Sequence, residues 1–269
     1  MMGKDGGASM VEVLLGLEPR AAVRLPVAHG HLVHAWFLDV VKQCDPGLAT
    51  ELHRDRPAKP FALSMLQGGQ GTGRASLAIG EGQPCSLRLT ALDEPTGAVL
   101  RAIAAGATDH VTVGDAEFRV AQVSIRAQSF EKLWAQALST TGGHTSVRMR
   151  FTSPTAFKTG RQNIVFPLPG LILRGLCRKW SCYAPPQFFV ADSAMTERAV
   201  WVGRHSLHTE CLEFGGYAQI GFVGTCDFIV DSQASQEIGS AVRALLSFAA
   251  YAGVGYKTTM GMGQVAVHL

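Results

Sequence analysis

Read for hydrophobic periodicity, the chain passes through strands and helices in the order β-α-β-β-α-β, and then does so again. An order of that kind closes into very few folds. Residues 10–17 alternate as a strand; residues 30–42 carry Leu32, Ala35, Trp36 and Val40 at helical spacing; Asp45-Pro46 opens a short second helix over 47–53. Residues 61–66 read as a strand, 68–74 as a flexible glycine-rich loop, 86–92 as a strand, 96–106 as a helix closed by Gly106, and 118–125 as a strand. The second round is weaker. A strand over 146–151 precedes a helix over 170–180 that is entered through Pro167 and Pro169. Strands follow over 199–202 and 216–229, the latter broken by Gly221 and Gly224; a helix over 236–251 and a strand over 264–268 close the chain. The expectation is an α+β protein of tandem duplicated ferredoxin-like (RRM-like) domains: a disordered lead-in over 1–9, a first domain over 10–140 and a second over 141–269.

With 47% apolar and 17% charged residues, the composition is that of a compact globular protein. No apolar run approaches the roughly 20 residues that span a bilayer, and no secretory leader is legible at the start. Six cysteines without framework spacing suggest reduced thiols. These features predict a cytoplasmic protein with no membrane partner. Charge is unevenly shared: residues 1–140 hold 13 Lys/Arg and 14 Asp/Glu, and residues 141–269 hold 11 and 7. Between Thr141 and Ala191 stand Arg148, Arg150, Lys158, Arg161, Arg174, Arg178 and Lys179, with no acid. Such a stretch favours a polyanion such as nucleic acid, unless the fold brings counter-charges from elsewhere.

Near the C-terminus, two Gly-x-Gly pairs, Gly253/Gly255 and Gly261/Gly263, flank Lys257-Thr258-Thr259. Glycine serves where the backbone takes positive φ or approaches something closely, and amides clustered beside a lysine suit a phosphate. A helix cap leading into a tight turn explains the same glycines. The earlier run 68–74 is no P-loop, since Ala75 follows Arg74 where Lys-Ser/Thr is required.

Three stretches, in this order, resemble a known family: Leu25-Pro26 with His29-Gly-His-Leu-Val-His-Ala-Trp-Phe-Leu38; Asp45-Pro-Gly-Leu-Ala-Thr-Glu-Leu-His-Arg-Asp-Arg-Pro-Ala-Lys-Pro-Phe-Ala-Leu-Ser64; and Gly253-Val-Gly-Tyr-Lys-Thr-Thr-Met-Gly-Met-Gly263. Ser153-Pro-Thr-Ala-Phe-Lys158 and Gly221-Phe-Val-Gly224 are further family-like pieces. The chain is similar, end to end, to the RAMP-superfamily CRISPR-associated endoribonucleases that cut precursor CRISPR RNA within each repeat. The resemblance implies a metal-independent enzyme with no cofactor, and His53 as general base with Lys59 supporting the phosphate. Where some relatives carry a tyrosine on the first helix, this chain has Trp36, Phe37 and Leu38.

The chemistry fits these residues. Cutting RNA by its own 2′-hydroxyl needs a base, an acid and a cation for the crowded phosphorane. His53 ends a helix beside Arg54, Arg56 and Lys59. His31 and His34 share a helix face, with His34 the reserve proton-transfer group and a packing or capping role equally open. Arg148, Lys158, Arg161, Arg174, Arg178 and Lys179, together with Gly253, Gly255, Lys257, Gly261 and Gly263, are the expected RNA-binding set. Cys177/Cys182 and His205/His208/Cys211 are ligand-capable, but neither has the spacing of a structural zinc site. The expected partner is CRISPR repeat RNA, with other effector subunits as further partners and a monomer or homodimer as the assembly. The alternative is a non-catalytic RAMP subunit that holds guide RNA in an effector complex. A third reading, a ferredoxin-like enzyme for a small phosphorylated ligand, explains the glycines but not the acid-free basic stretch.

Overall fold

The computed structural model describes residues 9–54, 56, 58–72, 76–139, 145–188, 190, 193–214 and 216–268. Residues 1–8 of the expected lead-in lie outside them, as do 73 and 74 of the expected loop and 140–144, where the two halves were expected to meet.

The first half runs β1 (Ser9–Pro19), β2 (Val23–Pro26), α1 (Gly30–Cys44), α2 (Pro46–His53), β3 (Phe61–Leu63), β4 (Gln70–Thr72), β5 (Ser76–Ile79), β6 (Cys85–Ala91), α3 (Glu94–Ala104), β7 (His110–Val113) and β8 (Ala116–Ser129). Its antiparallel sheet has the order β3-β6-β1-β8-β7, the ferredoxin arrangement with β7 added at one edge. The alternation in β1 puts Val11, Val13, Leu15 and Leu17 inward, where α1 covers them with Val33, Phe37 and Val41. Helix starts follow their caps. The Asp45 carboxylate accepts from the Leu48 amide at 2.9 Å, and that of Asp93 from the Thr96 amide at 3.0 Å.

The second half runs α4 (Phe130–Ser139), β9 (Thr145–Thr155), β10 (Phe157–Thr159), β11 (Gln162–Ile164), α5 (Pro169–Tyr183), α6 (Ser193–Arg198), β12 (Val200–Glu213), β13 (Ala218–Val230), α7 (Gln236–Ala252) and β14 (Val265–His268). Its sheet order, β12-β13-β9-β14, is again that of a ferredoxin-like unit, so the duplicated architecture read from element order is present. Phe151, Phe222, Phe228, Trp180 and Phe248 fill its core. Among the described residues no helix is long and apolar enough to cross a membrane.

Several local expectations need correction. The loop expected over 68–74 contributes β4, which joins β2 and β5 in a small three-stranded sheet. These strands hold only three or four residues, too few to show a period. The β10–β11 hairpin and α4 were not expected. α4 packs on the second core, Phe130 meeting Trp180 edge-on at 5.2 Å between ring centroids. β13 is continuous through Gly221 and Gly224, with a register shift between Phe222 and Gly224; a Cβ at Gly224 would overlap the Ser206 carbonyl on β12.

Candidate active site

The two halves meet around the segment after α7. Gly253, Gly255, Gly261 and Gly263 all have positive φ, between 65° and 88°. Gly255 and Gly263 bring backbone against backbone, while Gly253 and Gly261 lie against the Thr258 and Met65 side chains. A Cβ on Gly255 would overlap the Ala156 carbonyl, and one on Gly263 the Val254 carbonyl. Across the junction, a Cβ on Gly30 at the start of α1 would overlap the Met260 carbonyl, and Gly261 bridges to Ser64 just beyond β3. Gly253, Gly261 and Gly263 are buried and Gly255 is exposed, yet close approach to protein accounts for all four.

This loop organises the histidines. The His34 Nδ1–H donates to the Thr259 carbonyl at 3.0 Å, and its ring stacks on Phe61 at 5.7 Å. Burial lowers the His34 pKa, opposed by the Thr259 bond and reinforced by the charges of His53 and Lys59. The imidazole is therefore held neutral, with Nε2 as its acceptor. His53 ends α2 and is exposed. Lys59 donates to the Leu52 and Arg54 carbonyls at 2.7 and 2.6 Å, satisfying the end of α2 from which His53 projects. The three expected catalytic residues are thus gathered at one place. His29 has a different task. Its Nδ1–H donates to the Pro26 carbonyl, and Nε2 accepts from the Leu66 amide at 2.8 Å, locking the entry of α1 to the strand region behind it.

The basic set divides. Lys158 on β10 and Arg174 and Arg178 on α5 line, with Gly253, Gly255 and Tyr256, a cleft of about 590 Å³. The Lys158 ammonium sits 5.7 Å from the Tyr256 ring centroid, and Arg174 has a loose pairing with Glu197 at 3.4 Å. Arg161 is exposed on the turn of the β10–β11 hairpin. Two expectations are corrected. Lys179, expected on the basic surface, is turned inward: its ammonium donates to the Ala252 carbonyl and to the Thr258 hydroxyl (3.2 Å), and burial pushes its pKa down to about 7. Arg148 is matched by the Asp227 carboxylate on the neighbouring strand through two bonds, 2.6 and 2.9 Å. The acid-free stretch therefore receives part of its counter-charge from the fold, which no reading along one segment reveals.

Among the described residues no group of three or more His, Cys, Asp or Glu is placed to hold a metal ion. His205, His208 and Cys211 lie along β12, where alternation sends His205 and His208 to opposite faces. Burial pushes the Cys177 thiol up to about 11. Sequence reasoning missed Thr259, which acts through its carbonyl and so carries no side-chain signal, and Phe214 and Tyr217, which flank a double glycine between β12 and β13.

The family model described as the Cas6 N-terminal domain matches residues 10–142, and that of the CRISPR-associated endoribonuclease Cas6 matches residues 149–265. The chain belongs to the Cas6 family. A Cas6 product complex superposes with a TM-score of 0.76 at 28% identity, covering 97% of this chain and 100% of that one; Cas6 from Thermus thermophilus superposes at 0.67, also at 28% identity, covering 98% and 100%. The Cas6 endoribonuclease of Mycobacterium tuberculosis is 27% identical over 124 residues, which are 45% of this chain but only 38% of that protein. Against Cas6 of Streptococcus thermophilus the identity is 22% over 233 residues, 84% of this chain and 87% of the other. In this Cas6 protein, the helix bearing His34 and the glycine-rich loop thus sit in the segments covered by the two different family models.

Proposed function

We propose that this chain is an endoribonuclease that cuts precursor CRISPR RNA within its repeats without a metal. The 2′-hydroxyl forms a bond to the adjacent phosphorus, the bond from phosphorus to the 5′ oxygen breaks, and the products carry a 2′,3′-cyclic phosphate and a 5′-hydroxyl. Nε2 of His34 takes the 2′-hydroxyl proton, and His53 returns a proton to the leaving oxygen. The observation that carries this reading is the bond from His34 Nδ1–H to the Thr259 carbonyl, which leaves a neutral, partly buried imidazole beside a second one. Lys59 positions His53 by closing α2 and adds positive charge near the phosphate. Family membership supports RNA as substrate, and the Lys158–Arg174–Arg178 cleft supports a path for its backbone.

The test is cleavage of a repeat RNA in EDTA by wild type, His34→Ala and His53→Ala, with a 2′-deoxy substitution at the cut as control. Robust cleavage by wild type, and loss of about 10²–10⁴-fold in His34→Ala, are expected. Cleavage abolished by EDTA overturns the metal-free mechanism. An unimpaired His34→Ala moves the base to His53, and tight binding without any cleavage by wild type fits the guide-holding RAMP subunit instead.

A further inference from the structure

Beside the basic cleft, and separated from it by the glycine-rich loop, lies a second one of different character. Lys257 is the one non-glycine residue with positive φ among the described residues, at 56°. A left-handed backbone is unfavourable for a lysine, and such outliers gather where a side chain must be aimed. Here it sets the ammonium 4.2 Å from the Phe214 ring centroid and 4.6 Å from that of Tyr217, whose hydroxyl accepts from it. The two rings are stacked, 5.2 Å between centroids with 8° between their planes, yet Tyr217 is 54% exposed. With His31, Glu213 and Met260 they line a cleft of about 750 Å³, within the size range of small-molecule sites.

Phe214 is half-buried against the Ala28–Ala156–Leu212–Met262 cluster, whereas Tyr217 stands exposed on it, under the Lys257 ammonium and facing the cleft. A planar aromatic surface beside positive charge complements a nucleobase attached to its phosphate. Glu213 argues against an acidic peptide and offers an acceptor for an exocyclic amino group. His31 has its Nδ1–H on the Ala28 carbonyl at 3.0 Å, which leaves Nε2 as an acceptor in the neutral ring. The cleft lies next to the proposed chemistry: His31 is one helical turn from His34, and Met260 follows the Thr259 that holds it. We infer that the Phe214–Tyr217–Lys257 cleft binds one unpaired nucleobase of the RNA, beside the phosphate cut at His34. This rests on the reading of the chain as an RNA-cleaving enzyme.

The experiment uses uncleavable repeat RNAs, 2′-deoxy at the cut, each with 2-aminopurine at one flanking position. Wild type is expected to quench the fluorophore at one position, Tyr217→Phe to keep that quench and Tyr217→Ala to lose it. An abasic nucleotide there weakens wild-type binding by about tenfold or more and leaves Tyr217→Ala unchanged. Quenching identical in wild type and Tyr217→Ala at every position, or an equal abasic penalty in both, overturns the proposal. Because the readout is binding, the expected quench together with no cleavage of the matching RNA that keeps its 2′-hydroxyl defeats the nuclease reading alone, whereas no change in anisotropy with labelled RNA defeats both.

Discussion

In the proposed mechanism the chemistry turns on His34, and its surroundings make a definite pH prediction. The base must be neutral to accept the 2′-hydroxyl proton, and burial with positive neighbours depresses protonation of this imidazole. Single-turnover cleavage should therefore persist below the ordinary histidine value of about 6.5 and fall only on further acidification. In His53→Ala, with one positive neighbour removed, the residual rate should fall at higher pH than in wild type. A shared acid limb in the two proteins would contradict this coupling. Lys179 makes the second prediction. Its folded pKa of about 7 lies below the unfolded value of 10.5, so between those limits the unfolded chain holds a proton that the folded chain lacks. Stability from this group rises with pH across that window, by up to about 1.4 kcal/mol per unit, and its burial penalty is complete below it. Denaturant titrations should show that rise flattened in Lys179→Met.

At the scale of elements, two helical glycines should behave oppositely. Gly30 opens α1 against the Met260 carbonyl, so Gly30→Ala forces α1 and the loop apart and should cost about 1–3 kcal/mol, read as a lower Tm. Gly175 in α5 has open space at its Cβ, and Gly175→Ala should stabilise by up to about 1 kcal/mol. Periodicity made legible the helices with a full apolar stripe: α1, which has no side-chain cap, and α2, α3 and α7, which start behind the capping side chains of Asp45, Asp93 and Ser235. Short strands such as β2, β4 and β5 acquire their identity only by pairing with one another. α4 carries Phe130, Leu133 and Ala137 at helical spacing but falls outside a β-α-β-β-α-β frame. The candidate site was legible as residue types, since His34, His53 and Lys59 do come together. The contact on which their proposed roles rest joins His34 to Thr259, 225 positions away, through a carbonyl that every residue possesses.

Over the whole molecule, two cores are joined around the glycine-rich loop. Arg88 on β6 pairs with Glu12 and also donates to the Gln264 side chain and the Ala250 carbonyl; the Thr90 hydroxyl donates to the Tyr251 carbonyl at 2.7 Å. A small cluster of Ala28, Ala156, Leu212 and Met262 lies beneath, drawn from both halves. Because α4 supplies Phe130, Leu133 and Ala137 to the second core, the energetic boundary between halves falls before Phe130, although α4 precedes β9 in sequence. That places the seam for a two-fragment enzyme. Polypeptides ending at Ser129 and starting at Phe130, produced separately and then mixed, should restore RNA cleavage that neither possesses alone. Fragments divided after Ser139 should reassemble poorly, with the second one exposing the Trp180–Phe248 surface that Phe130 covers and aggregating before its counterpart arrives.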